Sequence, residues 1–165
     1  MAATYEPIAT TTLGSNASTY TFSSIPGTYT DLVLVCNAST TTDNVNYYLQ
    51  FNSDSATNYS FTYLEGDGSS AASSKSSGIS YLYVARGSSN SYFDVIVANI
   101  MNYSSTTNYK AVLSRYALGL GLGKRNSIHV GSWSSNSAIT SITIGSNGGT
   151  LKSGSTFTLY GIKAA

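Results

Sequence analysis

The sequence predicts an all-β protein, an antiparallel β-sandwich of jelly-roll type with about ten strands. Short apolar segments rich in β-branched and aromatic residues recur along the chain, and turns of Gly, Ser and Asn separate them. No segment has the apolar period of an amphipathic helix. A length of 165 residues fits a single domain, which we place at residues 17–165, preceded by an N-terminal arm at residues 1–16.

The segment Ser91–Met101 is the longest nearly continuous apolar run in the chain. Apolar residues occupy both alternating sets of positions, which is typical of a strand that is covered on both faces. We therefore expect this segment to be the central strand of the sandwich. Asp94 is its one charged residue, and it needs water or a polar partner.

The first half of the chain contains the arm, a possible hairpin and a Gly/Ser-rich stretch. Pro7 cannot donate a ladder hydrogen bond, so the arm is at most an edge strand or a docked tail. Ser18–Phe22 and Tyr29–Asn37 flank a Pro-Gly turn and are expected to form a hairpin. Glu65–Gly78 is expected to be a loop that is mobile or held by a partner. The other strands expected here are Val45–Phe51, Tyr59–Leu64 and Ile79–Ala85.

The second half contains a segment in which Leu alternates with Gly, Ala117–Gly123. No Lys-Ser/Thr pair follows it in the register of a phosphate-binding loop. The alternation instead favours a twisted strand or bulged edge where backbones approach closely. The remaining expected strands are Tyr109–Tyr116, Ile128–Trp133, Ala138–Ile144 and Thr156–Lys163.

Charged residues make up 9% of the chain and the formal net charge is +1, against about 25% charged residues in typical proteins. We therefore expect no binding to nucleic acid or to anionic membranes. No apolar run approaches the roughly 20 residues that a membrane-spanning helix needs. Low charge combined with 12% aromatic residues favours a protein that works inside an assembly.

Residues that could carry catalysis are few. The single cysteine, Cys36, lies in an apolar run where a buried, inert thiol is expected. Glu65 and Asp67 share one loop, where two solvated acids are favoured over a catalytic pair. The only histidine, His129, has apolar neighbours, and no G-x-S-x-G motif accompanies it. We predict no catalytic residue. An enzyme acting on cell-surface polysaccharide through Asp54, Glu65 or His129 is the least favoured alternative.

A calcium site is a second possibility that the residues leave open. Asn52, Asp54 and Asn58 supply oxygen ligands within one loop. The same residue types also form turns by bonding their own backbone, and this explanation is favoured. We predict no metal and no cofactor.

Aromatic side chains are the best candidates for contact with a partner. A flat ring can stack on a sugar, pair across strands or anchor a protein interface, and the sequence does not separate these roles. The candidate interface residues are Tyr5, Ile8, Tyr48, Tyr63, Tyr81, Tyr83 and Trp133.

Four segments together carry a resemblance: YTFSSIPGTYTDLVLV (Tyr20–Val35), FNSDSATNYS (Phe51–Ser60), IMNYSSTTNYK (Ile100–Lys110) and GSTFTLYGIK (Gly154–Lys163). They resemble small β-sandwich virion proteins of tailed bacteriophages, particularly cyanophage-like ones. Such domains occur as capsid decoration (cement) proteins and in tail fibres or receptor-binding tips.

The resemblance implies a virion structural protein, with a capsid decoration protein as the expected role. Its partners would be the major capsid protein and copies of itself. A homotrimer would match the local three-fold positions of an icosahedral shell. The alternative is a tail-fibre or receptor-binding module that recognises host-surface carbohydrate. The absence of a coiled-coil segment favours the capsid surface over the tail.

Overall fold

The protein is an all-β sandwich of two antiparallel sheets, which confirms the predicted fold class. The computed structural model describes residues 4–86, 90–117 and 125–163. The larger sheet has eight strands in the order β1-β12-β3-β8-β9-β10-β5-β6, and the smaller has four in the order β2-β11-β4-β7. The strands are β1 (Tyr5–Thr12), β2 (Thr19–Phe22), β3 (Asp31–Ala38), β4 (Tyr47–Phe51), β5 (Tyr59–Gly66), β6 (Ala71–Ile79), β7 (Leu82–Ala85), β8 (Asp94–Met101), β9 (Lys110–Ala117), β10 (Asn126–Trp133), β11 (Ile142–Ser146) and β12 (Thr156–Ile162). In the described part of the chain, no helix has the length and apolar character needed to cross a membrane.

Strand β8 occupies an interior position in the larger sheet, between β3 and β9. Its inward side chains, Asp94, Ile96, Ala98 and Ile100, are buried. The outward Val95, however, is 48% exposed. The prediction that both faces of this strand are covered was therefore wrong, because the smaller sheet covers only one face of the larger one.

The N-terminal arm forms an edge strand, one of the two states expected for it. Strand β1 pairs antiparallel with β12, from Tyr5 opposite Ile162 to Thr12 opposite Thr156. The register shifts just after Pro7, where the missing N–H interrupts regular pairing. Eight of residues 1–16 are thus part of the larger sheet.

Two expectations for the first half of the chain were wrong. Ser18–Phe22 and Tyr29–Asn37 do not form a hairpin, because β2 lies in the smaller sheet and β3 in the larger. Glu65–Gly78 is not a loop. Strand β6 pairs with β5 through much of it, since backbone bonds to a neighbour outweigh the weak strand preference of Ser and Ala. The Leu/Gly segment Ala117–Gly123 lies outside the described residues beyond Ala117.

The core lies between the inward faces of the two sheets. Phe51, Tyr59 and Trp133 form its aromatic centre, with ring centroids between 5.6 and 6.3 Å apart. A polar contact also joins the sheets, because the Ser114 hydroxyl of β9 donates to the Val84 carbonyl of β7 at 2.7 Å. Cys36 is buried, as predicted, and burial raises the pKa of its thiol.

Strand β7 approaches the larger sheet closely at Gly131. A Cβ atom at this position would collide with the Leu82 side chain and lie 2.8 Å from the Ser60 carbonyl oxygen. The missing side chain therefore allows Leu82 to pack directly against the backbone of β10.

We expect Gly131→Ala to lower the free energy of unfolding by about 1–3 kcal/mol, because the added methyl group overpacks the sheet interface. Urea denaturation measures this change. Gly14→Ala is the matched control, since a Cβ there would meet no heavy atom within 4 Å, and its effect should stay within about 0.5 kcal/mol. Equal destabilisation by both variants would contradict the close packing at Gly131.

Candidate interaction face

The outer face of the larger sheet carries exposed apolar side chains in its middle. In β10 the alternation that turns His129 and Trp133 inward turns Ile128 and Val130 outward. Ile128 lies opposite Leu64 of β5. The side chains of Ile128, Val130 and Leu64 are 48%, 54% and 63% exposed. We call this surface the outer face; its apolar members are Val33, Val35, Leu64, Val95, Val97, Leu113, Ile128 and Val130.

A groove of about 440 Å³ crosses the outer face toward strand β1. It carries one acidic and one basic side chain, Asp31 and Arg115. The Asp31 Oδ1 atom also accepts a hydrogen bond from the Asn102 backbone N–H at 2.8 Å. The lining is otherwise uncharged, so the groove suits a mainly apolar partner surface; it consists of Tyr5, Asp31, Val33, Asn99, Met101, Leu113, Arg115 and Ile162.

The largest group of charged side chains among the described residues surrounds Glu65 on the opposite, inward face. Arg86 Nη1 lies 2.5 Å from Glu65 Oε1, and Arg125 Nε lies 3.7 Å from Glu65 Oε2. Arg86 also donates to the Tyr63 hydroxyl at 2.9 Å and covers the Tyr63 ring at 5.2 Å. Both arginines are thus engaged with the protein itself at the edge of the core.

A serine–histidine pair lies next to this cluster. Ser127 Oγ and His129 Nε2 are 3.0 Å apart, and the two residues are 4% and 2% exposed. Burial lowers the pKa of His129 to about 4, so the ring is neutral at pH 7. A nucleophile must be reached by its substrate, and this hydroxyl is enclosed by the core. The geometry is that of a buried structural pair, in which Ser127 is the partner of His129 Nε2, while His129 Nδ1 has no hydrogen-bond partner among the described residues. A structural role is the one favoured for His129 from sequence.

We expect the free energy of unfolding to fall on mild acidification because of the titration of His129. Below pH 6.5 the unfolded chain binds a proton at His129 that the folded chain does not bind until about pH 4. The free energy of unfolding should therefore fall by about 3 kcal/mol across this window. In His129→Phe, which keeps an aromatic ring beside Tyr63, the dependence should disappear.

Urea denaturation at a series of pH values measures this effect. Asp67→Asn is the control, because hydrogen bonds from the Ser69 and Ser70 backbone lower the pKa of Asp67 and its own titration falls below the window. A His129→Phe variant that keeps the wild-type slope between pH 6.5 and 4 would contradict the assignment.

The Asn52–Asn58 loop is organised by its own hydrogen bonds. Asp54 Oδ2 accepts from the Asn58 amide at 2.9 Å and from Trp133 Nε1 at 2.7 Å, while Oδ1 accepts from the Ala56 N–H at 2.9 Å. The bond from Asn58, aided by the others, lowers the pKa of Asp54. Asn52 Oδ1 accepts from the Thr140 N–H at 2.8 Å. The Asp54–Ala56 bond is a local turn of the kind expected from sequence, while Thr140 and Trp133 are distant in the chain. Within the described ranges no group of three or more His, Cys, Asp or Glu residues is placed to hold a metal.

The predicted interface residues fall in different environments. Tyr5 is exposed and lines the groove. Ile8 and Tyr63 are partly buried against the core. Trp133 differs most from the expectation, because it is buried, stacked on Tyr59 and bonded to Asp54, and so it offers no ring face to a partner.

The structure brings three of the predicted tyrosines together. Tyr48 stacks on Tyr81 with ring centroids 4.7 Å apart, and Tyr81 meets the edge of Tyr83 at 5.2 Å. Asn147 donates to the Tyr83 hydroxyl at 2.9 Å, and a side chain at Gly145 would collide with Tyr48. This group, the tyrosine cluster, is partly exposed at the smaller sheet.

Sequence reasoning missed the main members of the outer face. Leu64, Ile128 and Val130 lay inside predicted strands and were assigned to no surface. The available signal was the alternation of Ile128 and Val130 with His129 and Gly131, but both alternating sets contain apolar or aromatic residues. Strand periodicity therefore does not show which face of β10 is exposed to solvent. The position of the smaller sheet, which covers the other face, decides it.

No family model matches the chain, and no curated protein matches it. Among solved structures it is similar to a protein of unknown function from Shewanella oneidensis MR-1 (9% identity, 86% of this chain and 62% of that chain, TM-score 0.21). It is also similar to Scytalido-glutamic peptidase in complex with a peptide-based transition-state analogue (14%, 91% and 66%, 0.22) and to the catalytic domain of PdAgaC (8%, 99% and 77%, 0.26). Likenesses with TM-scores this low assign neither fold nor function to this chain.

Proposed function

We propose that the chain is a structural protein of a tailed-bacteriophage virion, a decoration protein that binds the assembled capsid and copies of itself. The observation that carries this proposal is the exposed apolar outer face of the larger sheet, centred on Ile128, Val130 and Leu64. Its work is adhesion between protein surfaces, and no bond-making chemistry is assigned to it.

Several large, exposed apolar side chains on one sheet face are a feature of surfaces that contact a partner. The neighbouring strands β5 and β10 contribute Leu64, Ile128 and Val130, each about half exposed or more, and β8, on the far side of β9, contributes Val95. The charge on the face is low, with Asp31 and Arg115 in the groove. Burying such a face against another protein removes apolar area from water at little cost in desolvated charge.

The buried polar groups support an adhesive role over a catalytic one. Glu65 is held by two arginines, Asp54 by Trp133 and Asn58, and Ser127 by His129 inside the core. Each of these groups is committed to a partner within the fold. A decoration protein needs only a higher affinity for the assembled shell than for free subunits, and it then stabilises the shell by mass action. In this proposal it does so as a homotrimer at local three-fold positions.

Immunogold electron microscopy of purified virus particles that carry the gene tests the proposal. Label distributed over the shell supports a decoration protein. Label at the tail tip supports the receptor-binding alternative and overturns the capsid assignment. Particles without label, confirmed by mass spectrometry of their proteins, overturn the virion proposal itself.

Ile128→Glu is expected to abolish co-sedimentation of the purified protein with empty shells, because binding would bury a carboxylate in place of an aliphatic side chain. The melting temperature should change little, since Ile128 is 48% exposed in the free protein. Thr19→Glu is the matched control; it places the same charge at an exposed position of the smaller sheet and should leave binding intact. Loss of binding in both variants would argue against a role for the outer face.

The tyrosine cluster favours the alternative function, a module for host-surface carbohydrate. Aromatic ring faces stack on the apolar faces of sugars, and the cluster places Tyr48 and Tyr81 with Asn147 as a neighbouring polar group. This alternative predicts that a glycan array shows binding and that Tyr81→Ala removes it. Tyr109→Ala, at an exposed ring outside the cluster, is the control and should bind normally. An array without binding to the unaltered protein removes the alternative.

A further inference from the structure

Strand β6 is a long edge strand that the rest of the described chain leaves uncovered. It has nine residues, AASSKSSGI, and forms the end of the larger sheet beside β5. Seven of the nine residues are exposed and the other two, Ser76 and Ile79, are intermediate, and Ile79 packs against the core. The strand carries a single charge, at Lys75, and no proline.

Natural proteins protect such edges, because an unpaired strand edge is a template for pairing with another chain. The opposite edge of the same sheet, β1, carries Pro7 and a register shift. Both edge strands of the smaller sheet, β2 and β7, have four residues. Strand β6 is longer than β2 and β7, and unlike β1 it carries no proline.

The hairpin bond pattern shows which backbone groups point outward. The Asp67 N–H donates to the Ser70 carbonyl at 3.2 Å and closes the β5–β6 turn. In an antiparallel pair, hydrogen-bonded and non-hydrogen-bonded positions alternate, and Tyr63 opposite Ser74 is therefore a hydrogen-bonded pair. The N–H and C=O groups that point away from β5 belong to Ala71, Ser73, Lys75 and Ser77.

We propose that strand β6 pairs antiparallel with β6 of a second copy about a two-fold axis at Ser74, which joins the two larger sheets into one. The regular part of the strand runs from Ala71 to Ser77, because Gly78 has φ of 65° and the register with β5 shifts there. Ser74 is the midpoint of that regular part. An axis at this point pairs every outward-pointing backbone group with one of the second copy.

The charge on the strand selects the same register. With the axis at Ser74, Lys75 lies opposite Ser73 of the second copy, and the two lysines are offset along the strand. An axis at Lys75 would place the lysines directly opposite each other, which is unfavourable. An axis at Ser73 would place Ser77 opposite the β5–β6 turn of the second copy, where no strand is available to pair with it. The second copy thus fits the edge in one register that satisfies both hydrogen bonding and charge.

The area involved sets the strength of this contact. A nine-residue strand is about 30 Å long, and edge pairing by small Ser and Ala side chains buries less than the roughly 800 Å² per partner of a standard interface. We therefore expect weak association in solution that becomes stable where other contacts hold neighbouring copies. This deepens the self-association in the proposed function, adding a two-fold contact to the three-fold one.

Disulfide trapping tests the register. Across the axis, Ser74 and its copy form a non-hydrogen-bonded pair with Cα atoms about 4.5 Å apart, which lies within the range that a disulfide spans. Ser74→Cys should therefore shift most of the protein to a covalent dimer under mild oxidation, seen on a non-reducing gel. Ser76→Cys is the matched control on the same strand face, because its two copies would lie about 14 Å apart, and it should remain monomeric. Cys36 is buried and common to both variants.

A second variant covers the case in which Ser74→Cys misfolds. Lys75→Pro removes an N–H that points away from β5 and should abolish association in sedimentation velocity while leaving circular dichroism unchanged. Equal cross-linking of both cysteine variants, cross-linking of neither, or unchanged association of Lys75→Pro overturns the proposal. These measurements use the purified chain without shells, so they are independent of whether the outer face binds a capsid.

Discussion

The unequal size of the two sheets is the constraint on which the rest of this structure depends. Eight strands form one sheet and four the other, so the smaller sheet covers part of one face and none of the opposite face. Strands β3, β8, β9 and β10 have inward side chains packed in a shared core, while outward residues such as Val95, Ile128 and Val130 are about half exposed. Strand β6 at the far end is exposed along most of its length. The exposed outer face and the open edge are thus consequences of the architecture and need no special motif.

Hydroxyl groups supply many of the buried polar contacts in this protein, in which few residues are charged. The Tyr59 hydroxyl accepts from the Phe51 N–H at 3.0 Å, the Tyr47 hydroxyl donates to Asp94 at 3.0 Å, and Ser114 bridges the sheets. A buried polar group that lacks a partner costs more than a hydrogen bond contributes, and Tyr and Ser hydroxyls supply such partners here, including one for the buried Asp94. The same choice leaves the surface with few charges that would repel another copy.

The sequence was sufficient for the fold class and for the existence of most strands, because short β-branched and aromatic runs between Gly and Asn turns are a local property. Which strands pair with each other is not a local property of the sequence. Strand β2 pairs with β11, more than a hundred residues away, and the Pro-Gly turn after it favoured the wrong neighbour.

Strand β6 was missed because Ser and Ala give no strand signal, and its pairing comes from the hairpin turn at Asp67. Trp133 was predicted to lie on the surface, because the sequence alone does not show whether an aromatic ring in a strand faces the core or solvent. Its contacts with Phe51 and Asp54 place it in the core.

The outer face and the β6 edge complement each other because neither is strong alone. An apolar face gains free energy from burial with little directional preference, whereas a strand edge fixes direction and register through backbone bonds but buries little apolar area. A chain with only the face would associate in many orientations, and one with only the edge would associate weakly. When both are engaged on a regular lattice, the second contact forms within an already assembled array and gains from the high effective concentration there. Weak, geometrically specific contacts of this kind keep free chains apart and favour binding where many copies are held in register.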